Sequence, residues 1–81
     1  MNSTRQEIKD LENEILKIED NIAEFSRLNY VEGIKKSRKQ LESNLKYLSI
    51  LANGAPVDKN EDRRLMDFLR IHYDYLQKSL S

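Results

Sequence analysis

The sequence predicts an all-α fold: an antiparallel, coiled-coil-like helical hairpin with a third helix, which together form a small three-helix bundle. Apolar residues recur at helical spacing through most of the 81 residues. One pronounced break interrupts them, in the stretch Asn53-Gly54-Ala55-Pro56, where a glycine and the only proline stand together. The apolar spacing also changes register near residue 29, which predicts a corner between two helices.

The first helix is predicted over residues 4–28. Thr4 and Glu7 have the spacing of a capping box, which indicates that the helix starts there. Leu16 and Ala23 form a second stripe on another face, which predicts a second packing partner. The main apolar residues occupy the a and d positions of a heptad and are named the first seam: Ile8, Leu11, Ile15, Ile18, Ile22 and Phe25.

The second helix is predicted over residues 30–52. Its a and d positions form the second seam: Val31, Ile34, Arg38, Leu41, Leu45, Leu48 and Ala52. The two seams are out of register, because continuing the first past Phe25 would place asparagine, glutamate and lysine at its apolar positions. A hairpin removes this conflict, with Asn29 either ending the first helix or capping the second. The alternative is one long, bent helix that pairs with another copy of itself.

A loop over residues 53–58 leads to a third helix, predicted over residues 59–79. Asp58 and Glu61 have the spacing of an N-cap and its acidic partner, directly after the proline. All three helices belong to a single domain, because a chain of 81 residues holds one small core. The stripe expected to pack on the hairpin is Leu65, Phe68, Leu69, His72, Tyr75, Leu76 and Leu80.

The composition excludes several sources of stability. The chain has no cysteine and a single histidine, so disulfides and thiolate metal sites are excluded and no metal or other cofactor is expected. Small domains without such staples often oligomerise, and we therefore expect a homo-oligomer.

Composition also narrows the location and the partners. Charged residues make up 35% of the chain but the formal net charge is zero, which argues against a protein whose main role is to coat nucleic acid. No apolar run reaches the length of a membrane span, and no secretory signal is visible. We expect a cytoplasmic protein with no membrane partner.

Charge is divided unevenly among the helices. Residues 1–29 carry 4 basic and 7 acidic side chains, whereas residues 30–54 carry 5 basic and 2 acidic ones. This division predicts that an acidic first helix lies against a basic second helix. Most lysines of the second helix occupy outward b and f positions, however, which leaves them to solvent or to a partner.

Arg38 is a charged residue at a seam position, where a charge needs a counter-charge or a path to solvent. We expect its head group to reach an acid such as Glu19 or Glu14; the alternatives are control of helix register and an anion site. Arginine forms forked bonds with carboxylates and phosphates. A candidate anion-binding site is predicted from Lys35, Lys36, Arg38, Lys39, Tyr30, Arg63 and Arg64.

No catalytic residue is predicted. His72, in the apolar stripe of the third helix, is interpreted as a partly buried structural residue, because the sequence offers it neither a nucleophile nor a second metal ligand. Phosphate-binding loops and nucleophile-elbow motifs do not occur. We therefore do not expect an enzyme.

Several apolar residues lie off the seams. Tyr47 and Ile50 fall outside the second seam, and they form either the ridge on which the third helix packs or an exposed contact between subunits. Tyr73 and Tyr75 are not expected to face the core together. With Leu16, these four residues form a predicted protein interface, a setting that favours tyrosine. The sequence thus predicts a small non-enzymatic helical binding protein (an adaptor, inhibitor or assembly factor) that contacts an unknown protein and itself. The alternative is a protein that binds a nucleotide or nucleic acid through the basic face of the second helix, at a subunit interface.

Overall fold

The protein consists of three α-helices in the computed structural model, which describes residues 3–54 and 58–79. Helix α1 comprises Ser3–Arg27, α2 comprises Val31–Gly54 and α3 comprises Lys59–Lys78. No strand occurs within these described ranges. The predicted all-α fold is confirmed, and α1 packs closely along α2 as a hairpin, so the alternative of one long helix is wrong. Part of the predicted loop (55–57) and Leu80 lie outside the described residues.

The two seams form most of the core. Five of its side chains are completely buried: Ile15, Leu41, Leu45, Leu48 and Leu65. Burying an aliphatic side chain of this size stabilises a fold by roughly 1.5–3 kcal/mol, so these contacts are the main force that holds the helices together. The remaining buried apolar residues are Ile8, Ile18, Ile22, Ala52 and Leu76.

The corner between α1 and α2 ends the first helix in a Schellman motif. The amide of Asn29 donates to the carbonyl of Ser26 at 3.1 Å, and the amide of Tyr30 donates to the carbonyl of Phe25 at 2.8 Å. Asn29 has a φ of 57°, which asparagine tolerates better than most residues. Of its two predicted roles, ending α1 is therefore the correct one. The carbonyl of Tyr30 accepts the first bond of α2, from Ile34.

Three side chains fix this corner. The rings of Phe25 and Tyr30 meet edge to face, with centroids 5.3 Å apart, which supplies the apolar contact typical of a Schellman motif. Gly33 lies buried beneath them. A Cβ atom at Gly33 would lie 2.6 Å from Cδ2 of Tyr30 and 2.8 Å from Cδ2 of Phe25, so glycine permits an approach that any larger residue would block.

The helix starts agree only in part with the predicted capping signals. Asp58 caps α3 as predicted, since its Oδ1 accepts a hydrogen bond from the amide of Glu61 at 2.8 Å. The capping box predicted at Thr4 is wrong, because α1 begins at Ser3 and Thr4 lies inside the helix. The carboxylate of Glu7 accepts a hydrogen bond from Tyr47 of α2.

The backbone of α3 lies closer to α2 than to α1. Helix α3 contacts α1 through the long side chains of Arg64 and His72. Leu65 and Leu76 enter the core, flanked by partly buried apolar residues of the same helix. The expectation that Tyr73 and Tyr75 cannot face the core together is wrong, since both pack against it and are partly buried. The physical reason is a broad apolar stripe: two residues apart on a helix, the tyrosines lie at its opposite edges.

Candidate functional site

Two flanks border the first seam of α1, one on each side. On the covered flank, Glu12 and Glu19 occupy e positions; on the open flank, Glu7 and Glu14 occupy g positions. The members of each pair stand seven residues apart. Both pairs of carboxylates therefore lie directly beside the first seam. The two pairs differ in which residues of the other helices contact them.

The covered flank holds an arginine of α3. Arg64 binds Glu12 with a fork, Nη1 to Oε2 at 2.8 Å and Nη2 to Oε1 at 2.7 Å. Its Nη2 also donates to Oε1 of Glu61 at 2.6 Å. The hydrogen bonds to these two carboxylates raise the pKa of Arg64, and the bonds to Glu12 contribute most. In turn, the hydrogen bond from Arg64 lowers the pKa of Glu61. Arg64, predicted to bind an anionic ligand, is thus occupied by carboxylates of its own chain.

The covered flank also holds the single histidine. Nδ1 of His72 lies 2.5 Å from Oε2 of Glu19, and both side chains are largely buried, 13% and 14% exposed. The ring of Phe68 packs on His72 with centroids 4.1 Å apart. The hydroxyl of Tyr75 donates to the backbone carbonyl of Glu19 at 3.4 Å; burial raises the pKa of Tyr75, aided by the charge of Glu19. His72 is a partly buried contact between α3 and α1.

The prediction that acidic α1 lies against basic α2 names the wrong partner for the acids. Within residues 3–54 and 58–79, the Arg64–Glu12 ion pair and the His72–Glu19 contact both link α3 to α1. Helix α2 meets α1 through its apolar seam, and most of its lysines point outward. The sequence-level charge imbalance therefore does not describe the pairing of the two hairpin helices.

The open flank carries no α3 residue. A hollow on it is lined by Glu7, Asp10, Leu11, Glu14 and Tyr47. Tyr47 donates from its hydroxyl to Oε2 of Glu7 at 3.2 Å, and this hydrogen bond raises the pKa of Tyr47. Tyr47 is 49% exposed and Ile50, beyond it on α2, is 68% exposed. Among the described residues that line the hollow there are three carboxylates and no basic side chain.

Arg38 reaches the C-terminal end of α3. Its Nε donates to Oγ of Ser79 at 3.1 Å and its Nη2 donates to the carbonyl of Leu76 at 3.4 Å. A cation is favourable there, because the last carbonyls of a helix lack intrahelical partners and carry partial negative charge. The predicted partners were wrong: Glu19 contacts His72, and Glu14 lies on the open flank.

The structure brings together only part of the predicted anion site. Lys35, Lys36 and Lys39 line one shallow hollow with Arg38, between Glu32 and Glu42. Within the described part of the chain, none of these three lysines has an ion-pair partner.

The other three predicted members lie elsewhere. Tyr30 belongs to the corner, whereas Arg63 and Arg64 lie near the start of α3. Arg38 meets the opposite end of that helix. The seven residues therefore do not form one site.

The predicted interface residues also separate. Leu16, Tyr47 and Ile50 are exposed, whereas Tyr73 and Tyr75 pack against the core. The sequence reading missed four further exposed apolar residues: Leu28, Val31, Met66 and Ile71. Val31 was assigned to the second seam, but the corner precedes it directly and no part of α1 remains to cover it. The sequence did contain a signal for this exposure, because Leu28, Tyr30 and Val31 crowd around the predicted corner at Asn29, where few residues remain to cover them.

Comparisons with known proteins supply no relative: no family model, no curated protein and no solved structure matches this chain. In the described ranges, no helix combines the length and the apolar character that crossing a bilayer requires. Functional inference therefore rests on the surfaces of the molecule itself.

Proposed function

We propose that this protein is a small non-enzymatic helical binding protein, of the adaptor, inhibitor or assembly-factor kind, which contacts another protein and a second copy of itself. One observation supports this most: large apolar side chains remain exposed around a bundle whose core is filled. Globular monomers rarely leave extended apolar patches exposed, and such patches often mark interaction sites. They occur at the corner (Leu28, Tyr30, Val31), beside the covered flank (Leu16, Ile71) and on the open flank (Tyr47), with Ile50 about one turn further along α2.

These residues are held by rigid elements. Those of the flanks project from long helices, and the corner is fixed by the Schellman motif and the contact between Phe25 and Tyr30. A side chain that is already ordered loses little conformational entropy when a partner binds. Exposed aromatic side chains on such a scaffold are well suited to serve as anchors.

The proposed self-association rests on Leu16 and Ile71, which are 46% and 56% exposed. By helical spacing, Leu16 lies between Glu12 and Glu19 on α1, and Ile71 shares its side of α3 with Arg64. The neighbouring carboxylate of Glu12 is paired with Arg64, and that of Glu19 contacts His72. Leu16 and Ile71 therefore offer apolar contacts beside acids that already have partners, which suits contact between two identical surfaces.

Light scattering coupled to size-exclusion chromatography over a range of protein concentrations tests the self-association. We expect the chain to associate, and we expect Leu16→Glu with Ile71→Glu to make it monomeric. The control is Met66→Glu, which alters a residue that is 63% exposed elsewhere on α3; it should leave association intact. A monomeric wild type at every concentration, or equal loss in the control, would contradict self-association. Circular dichroism verifies that the variants remain helical.

A second candidate function is binding of a nucleotide or nucleic acid. It is favoured by Lys35, Lys36 and Lys39, which line one hollow without ion-pair partners among the described residues. Fluorescence anisotropy with a labelled oligonucleotide should then show binding that weakens steeply with salt.

Charge reversal tests this second candidate. Lys35→Glu with Lys39→Glu should abolish nucleic-acid binding and leave folding unchanged, because all three lysine side chains of the hollow are exposed. The control is Lys46→Glu, which reverses a lysine that lies outside the hollow, 3.5 Å from Glu42. Unchanged binding by the double variant would exclude this function.

A further inference from the structure

We propose that the open flank docks a basic amphipathic helix of a partner protein, in the same manner as the covered flank holds α3. This inference rests on the proposed function and deepens it, because it names the surface and the chemistry of the partner. The partner helix would place apolar residues on Leu11 and Tyr47 and basic residues against the carboxylates of Glu7 and Glu14.

Helix α3 shows what the hairpin requires of a docked helix. It buries Leu65 and Leu76 in the core. It presents Arg64 to Glu12 and His72 to Glu19. Arg64 and His72 lie eight residues apart, and Glu12 and Glu19 lie seven residues apart. Both spacings are about two helical turns, so the two contacts can form together where α3 lies alongside α1.

The open flank repeats these features without a helix to use them. Glu7 and Glu14 have the same spacing as Glu12 and Glu19, and Asp10 lies between them. Leu11, partly buried, and the half-exposed ring of Tyr47 supply apolar surface in the same hollow. In the described structure, the hydroxyl of Tyr47 donates to Glu7 and the amide of Gln6 donates to Asp10 at 2.8 Å. Glu14 also lines an adjoining hollow with Lys39, but the two do not form an ion pair.

The charge of the hollow selects the sign of the partner. Three carboxylates without a basic neighbour in the lining repel one another, and a cationic helix would relieve that repulsion. Complementary charge speeds encounter and excludes acidic partners. A helix in a groove is recognised through anchors one and two turns apart, which matches the spacing of Glu7, Leu11 and Glu14.

A second copy of the chain is a poorer occupant than a different protein. The lysine hollow of α2 is basic, but its lining contains no apolar side chain among the described residues and includes Glu32 and Glu42. The other basic strip is Arg63, Met66 and Arg70, exposed along α3. Asp62 and Asp67 lie beside that strip, and Asp67 pairs with Arg70. These acids would face the carboxylates of the open flank, and like charges in contact are unfavourable.

The test uses the full chain and two fluorescein-labelled synthetic peptides of about three heptads each, with leucine at the a and d positions. One peptide carries lysine at the e and g positions and the other carries glutamate. We expect the lysine peptide to bind, with an affinity that falls as salt rises, and the glutamate peptide not to bind. Glu7→Lys with Glu14→Lys should weaken binding at least about tenfold.

A matched control separates docking from general attraction between opposite charges. Asp20→Lys with Asp67→Lys changes the net charge by the same amount at exposed positions outside the hollow. This control should leave the affinity within about twofold of the wild type, because contacts on the flank dominate a specific site. Circular dichroism verifies that both double variants remain helical.

Four outcomes would overturn the docking proposal. Equal binding of the two peptides and equal losses in the two double variants would each show that the flank is not specific. A wild-type dimer that dissociates on Glu7→Lys with Glu14→Lys would assign the flank to a second copy, and the proposed function would survive. A chain that is monomeric at every concentration and binds neither peptide would remove the docking proposal together with the self-association.

Discussion

The covered and open flanks of α1 carry the same kind of residue at equivalent positions, yet only one of them holds a helix. Glu12 is 13% exposed and forms a fork with Arg64, whereas Glu7 and Glu14 line an open hollow. The second stripe of α1, Leu16 and Ala23, lies on the covered side, but both residues remain exposed and α3 does not bury them. The selection comes from α2 and α3: Arg38, at an a position of α2, binds the end of α3 and holds it to one side of the hairpin. Two flanks with glutamates at equivalent heptad positions can therefore differ in whether a helix of the same chain covers them.

Shortening a core side chain of α3 should reduce the free energy of unfolding more than shortening an apolar side chain of the open flank. Leu65→Ala removes a completely buried side chain of α3 and should cost about 2–5 kcal/mol. Leu11→Ala, on the open flank, should cost about 1 kcal/mol, because the side chain of Leu11 is only partly buried and its removal loses less buried apolar area. Urea denaturation followed by circular dichroism measures both. Equal costs would show that the flanks are not energetically distinct.

Gly33→Ala should weaken both flanks, because both depend on how α1 and α2 meet at the corner. The added Cβ would collide with the rings of Phe25 and Tyr30 at under 3 Å. We expect a cost of about 1–3 kcal/mol, typical of overpacking, measured by urea denaturation. Phe25→Ala with Tyr30→Ala in the same chain should remove much of this added cost, because both colliding rings are then absent; fully additive costs would contradict the steric explanation.

Removing an acid should matter on the covered flank and have little effect on the open one. Glu19→Ala leaves His72 without its carboxylate partner in a largely buried position, which should cost about 1–2 kcal/mol. Glu14→Ala, at an exposed position, should stay within about 0.5 kcal/mol of the wild type. Thermal unfolding of the two variants, compared at one pH, measures the difference. A larger loss in Glu14→Ala would reverse the assignment of the flanks.

Acid should loosen the covered flank slightly through Glu61. Arg64 lowers the pKa of Glu61 below its ordinary value of 4.5, so this pair stabilises the fold above that pH and the contribution is lost as pH falls through the lowered pKa. Because the Glu61 side chain is 36% exposed, solvent screening limits the effect to a few tenths of a kcal/mol. Urea denaturation at about pH 7 and about pH 3 should show a smaller acid loss in Glu61→Gln than in the wild type. An identical loss would contradict this role of the pair.

Apolar periodicity was sufficient to predict the three helices and the hairpin. The shift of register at Asn29 predicted the corner, because a straight helix would have exposed one seam or the other. Contacts between residues of different helices were harder to predict from the sequence. The partner of Arg38 could not be predicted, since it depends on where α3 ends against α2, and sequence spacing within either helix carries no information on that offset.

The candidate surfaces were predicted in part for the same reason. Leu16, Tyr47 and Ile50 lie off the seams, were predicted as interface residues and are exposed. Glutamate occupies both the e and the g positions of α1, so these acids did not predict which flank α3 covers. The second stripe, Leu16 and Ala23, lies on the covered side and predicted a packing partner, yet both residues remain exposed. Tyr73 and Tyr75 were misjudged because the width of the α3 stripe depends on how deeply α3 sits against the hairpin.

Chemical-shift mapping of the isotope-labelled chain with the lysine peptide tests most directly whether the open flank is a docking surface. Amide resonances of Glu7, Leu11 and Tyr47 should shift in proportion to occupancy, while those of Arg64 and His72 on the covered flank should stay in place. Shifts centred on the covered flank, or spread over α3, would mean that the peptide displaces α3. That result would contradict the account of a second, vacant flank on α1.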